Sequence, residues 1–230
     1  MSAGVRAEGL VLRRDGRDIV SGIEFAAGPG ERVALLGANG SGKTTLARTM
    51  LGFAEYGGRL EIEGREVRSD AKSARRAVAA VFSDADPQLL MPTVHDELAF
   101  SLQTAGEGAV PAQVRELAGR FGLAGLLDRH PSRLSSGEKR KALLALSIGR
   151  RPSILVLDEP TADLDARGTR GLTEALASLP QTIILATHDY DLARAVCRKV
   201  VVLGGGRSAF FEDIDALFAD QLLLETWELT

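Results

Sequence analysis

Residues 33–44 read Val33-Ala34-Leu35-Leu36-Gly37-Ala38-Asn39-Gly40-Ser41-Gly42-Lys43-Thr44, with Thr45 following. Four apolar residues form a short strand signal, and the next eight match G-x-x-x-x-G-K-[ST], the pattern of a phosphate-binding loop between a strand and a helix. The glycines let the backbone turn tightly, so that successive N–H groups from Gly37 to Thr45 converge on one anion. The helix expected from Thr45 adds the positive end of its dipole. Lys43 is placed to reach the β- and γ-phosphates of a nucleotide, and the Thr44 hydroxyl to ligate Mg²⁺. Gly37, Ala38, Asn39, Gly40, Ser41, Gly42, Lys43, Thr44 and Thr45 are therefore the first candidate binding residues, and ATP with Mg²⁺ the expected ligand.

Outward from this loop, the pattern divides the chain. Residues 5–12 and 19–26 read as strands, with Gly28-Pro29-Gly30-Glu31 as the turn into residues 33–36. Residues 60–62 and 78–82 continue the strand character. From about 84 to 151 the period becomes helical, with Val94, Leu98 and Leu102 on one face and Val114, Leu117 and Phe121 on another. Strands return at 154–157, 182–186 and 200–203. Their unbroken apolar runs predict a parallel sheet covered on both faces, with residues 167–179 as a crossover helix. Residues 214–227 read as a terminal helix. The expected units are 1–83 and 153–230 as a split nucleotide-binding core, and 84–152 as an inserted helical lobe.

The strand at 154–157 ends in Asp158-Glu159, and the next ends in Thr187-His188-Asp189. In an open parallel sheet, ligands bind beyond the carboxyl ends of the strands, so these groups should face the phosphate loop. Asp158 is the expected Mg²⁺ holder, since a hard cation takes oxygen ligands. Glu159 is the expected general base or water-orienting group, and His188 the expected contact to the γ-phosphate and water. His95 and His130 are read as structural.

Bulk properties exclude other classes. With 230 residues, 45% hydrophobic and 26% charged, the chain suits one large domain or two small lobes, not two independent globules. A net charge of −3 gives no broad attraction to nucleic acid. Neither a secretion signal nor an apolar run of the ~18 residues that span a bilayer is visible. The single cysteine, Cys197, has no partner within the chain, which suits a reducing cytoplasm, and is expected to be a small core residue.

Just before the apolar helix that leads to Pro152 stands Leu134-Ser135-Ser136-Gly137-Glu138-Lys139. Alone it is a helix-start signal. In order with the phosphate loop, Asp158-Glu159, the stretch Pro160-Thr161-Ala162-Asp163-Leu164-Asp165 and His188, it resembles the signature of ATP-binding-cassette (ABC) ATPases. The resemblance implies an α/β fold: a phosphate-loop core, an N-terminal antiparallel β subdomain and an inserted helical subdomain. It implies a head-to-tail homo- or heterodimer with a second such subunit, in which Ser135 and Gly137 of one chain cap ATP on the other, and Asp165 lies at the interface. Residues 82–100 further resemble the ATPase subunits of energy-coupling-factor (ECF) importers of biotin, cobalt or nickel. That likeness implies a transmembrane coupling subunit, a substrate-binding membrane subunit and a place on the cytoplasmic face of the membrane. Asp84, Asp86, Asp96 and Glu97 are either an acidic docking surface for partner arginines or a solvated face. The chain departs from the pattern at Ser83, where a glutamine is usual, at Ser136 and Glu138 in the signature, and at Arg14, which stands for the aromatic residue that stacks on adenine. Ser83 implies slow turnover of the subunit alone. A cassette ATPase on a soluble scaffold and a non-hydrolytic regulatory subunit are the competing expectations.

Overall fold

The computed structural model describes residues 4–82, 88–106 and 111–229. Two compact units are present: 1–80 with 153–159 and 173–230, and 81–152 with 160–172.

The first unit holds two sheets. β1 (Val5–Arg14), β2 (Arg17–Ala27), β4 (Tyr56–Ile62) and β5 (Arg65–Glu66) make an antiparallel sheet in the order β2-β1-β4-β5. The second sheet runs β10-β9-β3-β8-β7-β6, built from β3 (Arg32–Leu36), β6 (Val78–Val81), β7 (Ile154–Asp158), β8 (Thr182–Ala186), β9 (Lys199–Gly204) and β10 (Arg207–Phe211). β9, β3, β8 and β7 are parallel neighbours, and β10 turns back antiparallel on β9. Every residue of β7 and β8 is buried, as the unbroken apolar runs require. The antiparallel sheet instead alternates buried and exposed positions along β1, so only one of its faces packs inward.

The helices are α1 (Lys43–Met50), α2 (Ala71–Ala77), α3 (Val94–Thr104), α4 (Pro111–Arg120), α5 (Ser136–Gly149), α6 (Ala166–Ala177), α7 (Tyr190–Val196), α8 (Ile214–Ala219) and α9 (Gln221–Thr226). The single terminal helix expected over 214–227 is in fact two. Asp220 takes a non-helical conformation (φ −105°, ψ 100°), and its carboxylate accepts the Leu222 and Leu223 N–H groups to start α9. An aspartate is a better helix start than helix interior, and here that preference wins.

Cys197 closes α7 and is buried, and burial pushes its thiol pKa up to about 12. It is a packing residue, not a nucleophile.

The turn into β3 is tied to β9 by charge. The Glu31 carboxylate accepts the Gly28 N–H at 2.7 Å and the Lys199 ammonium at 2.9 Å. Both contacts hold its pKa below the ordinary glutamate value, the backbone hydrogen bond most. A carboxylate whose folded pKa is depressed stabilises the fold fully above its unfolded pKa, and that contribution disappears as pH falls through the lower folded value. Glu31→Gln should therefore lose stability at neutral pH and show a flatter loss between roughly pH 5 and pH 3 than the parent chain. Urea unfolding at a series of pH values measures this; parallel curves for the two proteins would contradict it.

Candidate nucleotide site

The phosphate loop forms where β3 leaves the sheet. At Gly37 (φ 144°) a Cβ would lie 2.1 Å from the Leu203 carbonyl oxygen, so only glycine lets the chain pass β9 here. Ala38, Asn39 and Gly40 form the exposed crest, closed by the Ser41 N–H donating to the Ala38 carbonyl at 3.1 Å. Gly42, left-handed at φ 108°, starts α1 and packs against Leu12, Ile19 and Val20.

The start of α1 is chemically distinct. α2, α3, α5, α7, α8 and α9 each begin with a side-chain oxygen accepting a first-turn N–H, whereas Gly42 supplies no such cap and no acid occupies the first turn. First-turn N–H groups need an acceptor. The Ser41 hydroxyl beside them is buried without a hydrogen-bond partner. A phosphate group supplies what this loop lacks, so the residues present fit a nucleotide.

Lys43 is only 6% exposed. Its ammonium donates to the Gly37 carbonyl at 2.7 Å and the Ala38 carbonyl at 3.1 Å. Burial lowers its pKa, and the nearby carboxylates of Glu159 and Asp158 oppose that shift. The Thr44 hydroxyl donates to Asp158 Oδ2 at 2.7 Å, which joins the loop to the end of β7. These two oxygens are hard donors suited to Mg²⁺. Among the described residues no group of three or more His, Cys, Asp or Glu is placed to hold a metal.

Glu159 adopts a left-handed conformation at φ 50°, uncommon for a residue with a side chain. Its N–H donates to the Ala186 carbonyl at 2.8 Å, which holds the strained residue against β8. Its Oε2 accepts the Thr187 hydroxyl at 3.1 Å and the His188 N–H at 3.4 Å, and lies 2.9 Å from His188 Nδ1. The His188 ring is otherwise open to solvent, 74% exposed. Thr187, fully buried, is a participant the sequence reading passed over. Its signal was a hydroxyl residue at the strand end directly before the histidine. Arg14 stands at the tip of the β1–β2 hairpin, its side chain 75% exposed and 3.9 Å from Asp15.

The signature residues belong to the second unit. Ser135 caps α5: its hydroxyl accepts the Glu138 N–H at 3.3 Å, while its own N–H and hydroxyl donate to Glu138 Oε2 at 2.7 and 2.9 Å. These contacts, the backbone one foremost, hold the Glu138 pKa below its ordinary value. Gly137 packs close to Leu164: a Cβ there would come within 3.2 Å of a Leu164 methyl. Asp165 accepts the Gly168 N–H at 2.7 Å at the start of α6. Arg140, 2% exposed on α5, donates to the Phe82 carbonyl at 2.8 Å.

Of the acidic group expected on 84–97, Asp84 and Asp86 lie outside the described residues, as does Ser83 before it. Asp96 is on the surface, accepting from Thr93 at the head of α3. Glu97 is not part of that surface. It is 4% exposed, and its carboxylate accepts the backbone N–H groups of Leu90 and Met91. The loop N–H groups of Leu90 and Met91 thus find their acceptor in Glu97. His130 is structural as read, accepting the Ser132 N–H at 3.1 Å.

Set beside known proteins, residues 20–162 match the profile of the ABC transporter family. A Gloeobacter violaceus protein named as an ABC transporter ATP-binding protein is 41% identical over 92% of this chain and 89% of its own length. One from Streptomyces coelicolor is 38% identical over 94% of this chain and 84% of its own. CbiO1 from Clostridium perfringens, described as part of the ABC transporter complex CbiONQ, superposes with a TM-score of 0.81 at 29% identity, covering 100% of this chain and 96% of that one. A bacterial Atm1-family ABC exporter solved with ATP bound gives 0.84 at 26% identity, covering 99% of this chain and 42% of its own. The chain belongs to the ABC transporter family and is an ABC ATPase subunit, with ATP as its nucleotide. Among the described residues no helix is long and apolar enough to cross a membrane.

Proposed function

We propose that this chain is the energy-coupling ATPase of an ECF-type importer, hydrolysing ATP to drive uptake of a vitamin or metal ion such as biotin, cobalt or nickel. The observation that carries the chemistry is the set Lys43, Thr44, Asp158, Glu159 and His188, gathered at one edge of the parallel sheet within one unit. Lys43 exchanges its two loop carbonyls for terminal phosphate oxygens. Thr44 and Asp158 would hold Mg²⁺, which when bound supplies positive charge against the phosphate oxygens. Glu159, fixed by Thr187 and His188, orients the attacking water and takes its proton. His188, exposed on its far side, is free to meet the γ-phosphate. Its ring nitrogen Nδ1 lies 2.9 Å from the Glu159 carboxylate, so the two groups stand together at the site.

Ser135 and Gly137 serve the nucleotide of a second cassette subunit, in a homo- or heterodimer. The transporter partner is a transmembrane coupling subunit that works with a substrate-binding membrane subunit. Support comes from the likeness to CbiO1, which this chain matches over nearly that protein's whole length. The exporter likeness is one of cassette fold, since less than half of that chain is covered. Leu90 and Phe100, 79% and 50% exposed, give the second unit apolar surface near Asp96 for such partners. The chain itself would sit peripherally on the cytoplasmic face of the membrane.

The test is affinity purification of the tagged chain from detergent-solubilised membranes of its native host. Recovery of an integral-membrane coupling subunit together with a second membrane protein carrying a vitamin or metal ion is the expected result. Recovery of a soluble scaffold alone would instead favour a cassette ATPase of the assembly type.

A further inference from the structure

The C-terminal end of the chain bears on the phosphate loop from behind. At the end of α9 the Glu228 N–H donates to the Glu225 carbonyl at 3.2 Å, and the Leu229 N–H to the Leu224 carbonyl at 2.9 Å. Glu228 is left-handed at φ 53°. This is the paired reverse turn that ends many helices, built here on a glutamate where glycine is usual. Leu229, 3% exposed, anchors it. The turn fixes Trp227, the chain's single tryptophan, at the last position of the helix.

The Trp227 ring lies on Gly204, the final residue of β9: a Cβ there would stand 3.4 Å from the ring. Gly205 (φ 55°) and Gly206 (φ 73°) then make the two-residue turn into β10. This corner meets both glycines that shape the phosphate loop. The Leu203 carbonyl, one residue before Gly204, is the oxygen that only a glycine at Gly37 can pass. On the other side the Gly206 carbonyl accepts the Ser21 N–H at 3.1 Å, and Ile19 and Val20, directly before Ser21, pack on Gly42. Backbone against backbone has no flexible side chain to absorb a shift, so displacement at the corner passes to the loop.

We propose that Trp227 is a positioning residue for the phosphate loop, holding Leu203 and Gly204 where they keep the loop N–H groups aimed at the nucleotide. The inference rests on the phosphate-site reading above. Removing a ring packed on a glycine leaves a void, and backbone without a side chain settles into it. The loop binds only while its N–H groups converge on one anion. Glu159 and His188 follow β7 and β8, on the far side of β3 from β9. The loss should therefore fall on nucleotide binding and spare the chemical step.

The experiment uses the full-length chain with Mg²⁺ present. Trp227→Ala should raise the KM for ATP about fivefold or more while kcat stays within about twofold, and Trp227→Phe, which keeps a ring on Gly204, should recover most of the loss. In the parent protein, tryptophan emission should change saturably as ATP is added. The midpoint should match that for displacement of trinitrophenyl-ATP by ATP, measured separately. Emission unchanged at ATP concentrations that displace the probe would overturn the proposal, and so would an alanine variant that loses kcat at constant KM. If the alanine variant does not fold, the parent's emission decides alone. Failure of ATP to displace the probe from the parent would remove the phosphate-site reading, and this one with it.

Discussion

Lys43→Ala is expected to lower the rate of ATP hydrolysis by at least about a hundredfold and to leave the protein folded. The ammonium sits 6% exposed, where a charge interacts more strongly than it would in water. It is already desolvated and held by the Gly37 and Ala38 carbonyls, so little reorganisation is needed when phosphate oxygens take their place. A pre-placed donor of this kind acts where charge builds up in the transition state. Alanine leaves the Thr44–Asp158 bond and the glycine turns unchanged, so the melting temperature should move by only a few degrees. Lys43→Arg should not rescue turnover, because a planar fork cannot replace a compact ammonium in that space. Steady-state phosphate release decides the matter; an alanine variant within threefold of the parent rate would remove Lys43 from the chemistry.

Glu159→Gln should slow hydrolysis by about a hundred- to ten-thousandfold while nucleotide binding persists. The amide oxygen can still accept from the Thr187 hydroxyl and the His188 N–H, so the geometry survives. What is lost is the ability to take a proton from water. If two cassette subunits close over nucleotide, the blocked variant should accumulate as a dimer on a sizing column when ATP is added, and revert when ATP is removed. Undiminished turnover would discard Glu159 as the base. Slow turnover with elution only as a monomer would discard the homodimer.

The sequence was most legible where backbone constraint and chemistry coincide. Gly37 and Gly42 must be glycine for steric reasons visible in a motif, and the buried strands of the parallel sheet announce themselves as apolar runs that polar residues end abruptly. Short elements left weaker traces. β5 is two residues long, and α2 carries one buried residue, so neither had room for a period. β10 is exposed at Arg207 and partly buried at every later position, with no alternation. Glu97 could not be told from its exposed neighbour Asp96, because its burial depends on the path of a loop that spacing does not encode. The same holds for Thr187, whose contact with Glu159 requires knowing that two strand ends lie side by side. Ser135 was read as both a helix cap and a binding residue. The capping contacts are present in the isolated chain, and a second subunit's phosphate would have to compete with the Glu138 carboxylate for that hydroxyl.

The burial of Cys197 has a practical side. The chain has one cysteine, and with its thiol enclosed and hard to ionise, maleimide dyes should pass it by in the native state. This chain is thus already a nearly silent background for labelling chemistry. A single cysteine placed on the surface could carry a fluorophore or spin label and report subunit movements during turnover, with no need to delete the native one.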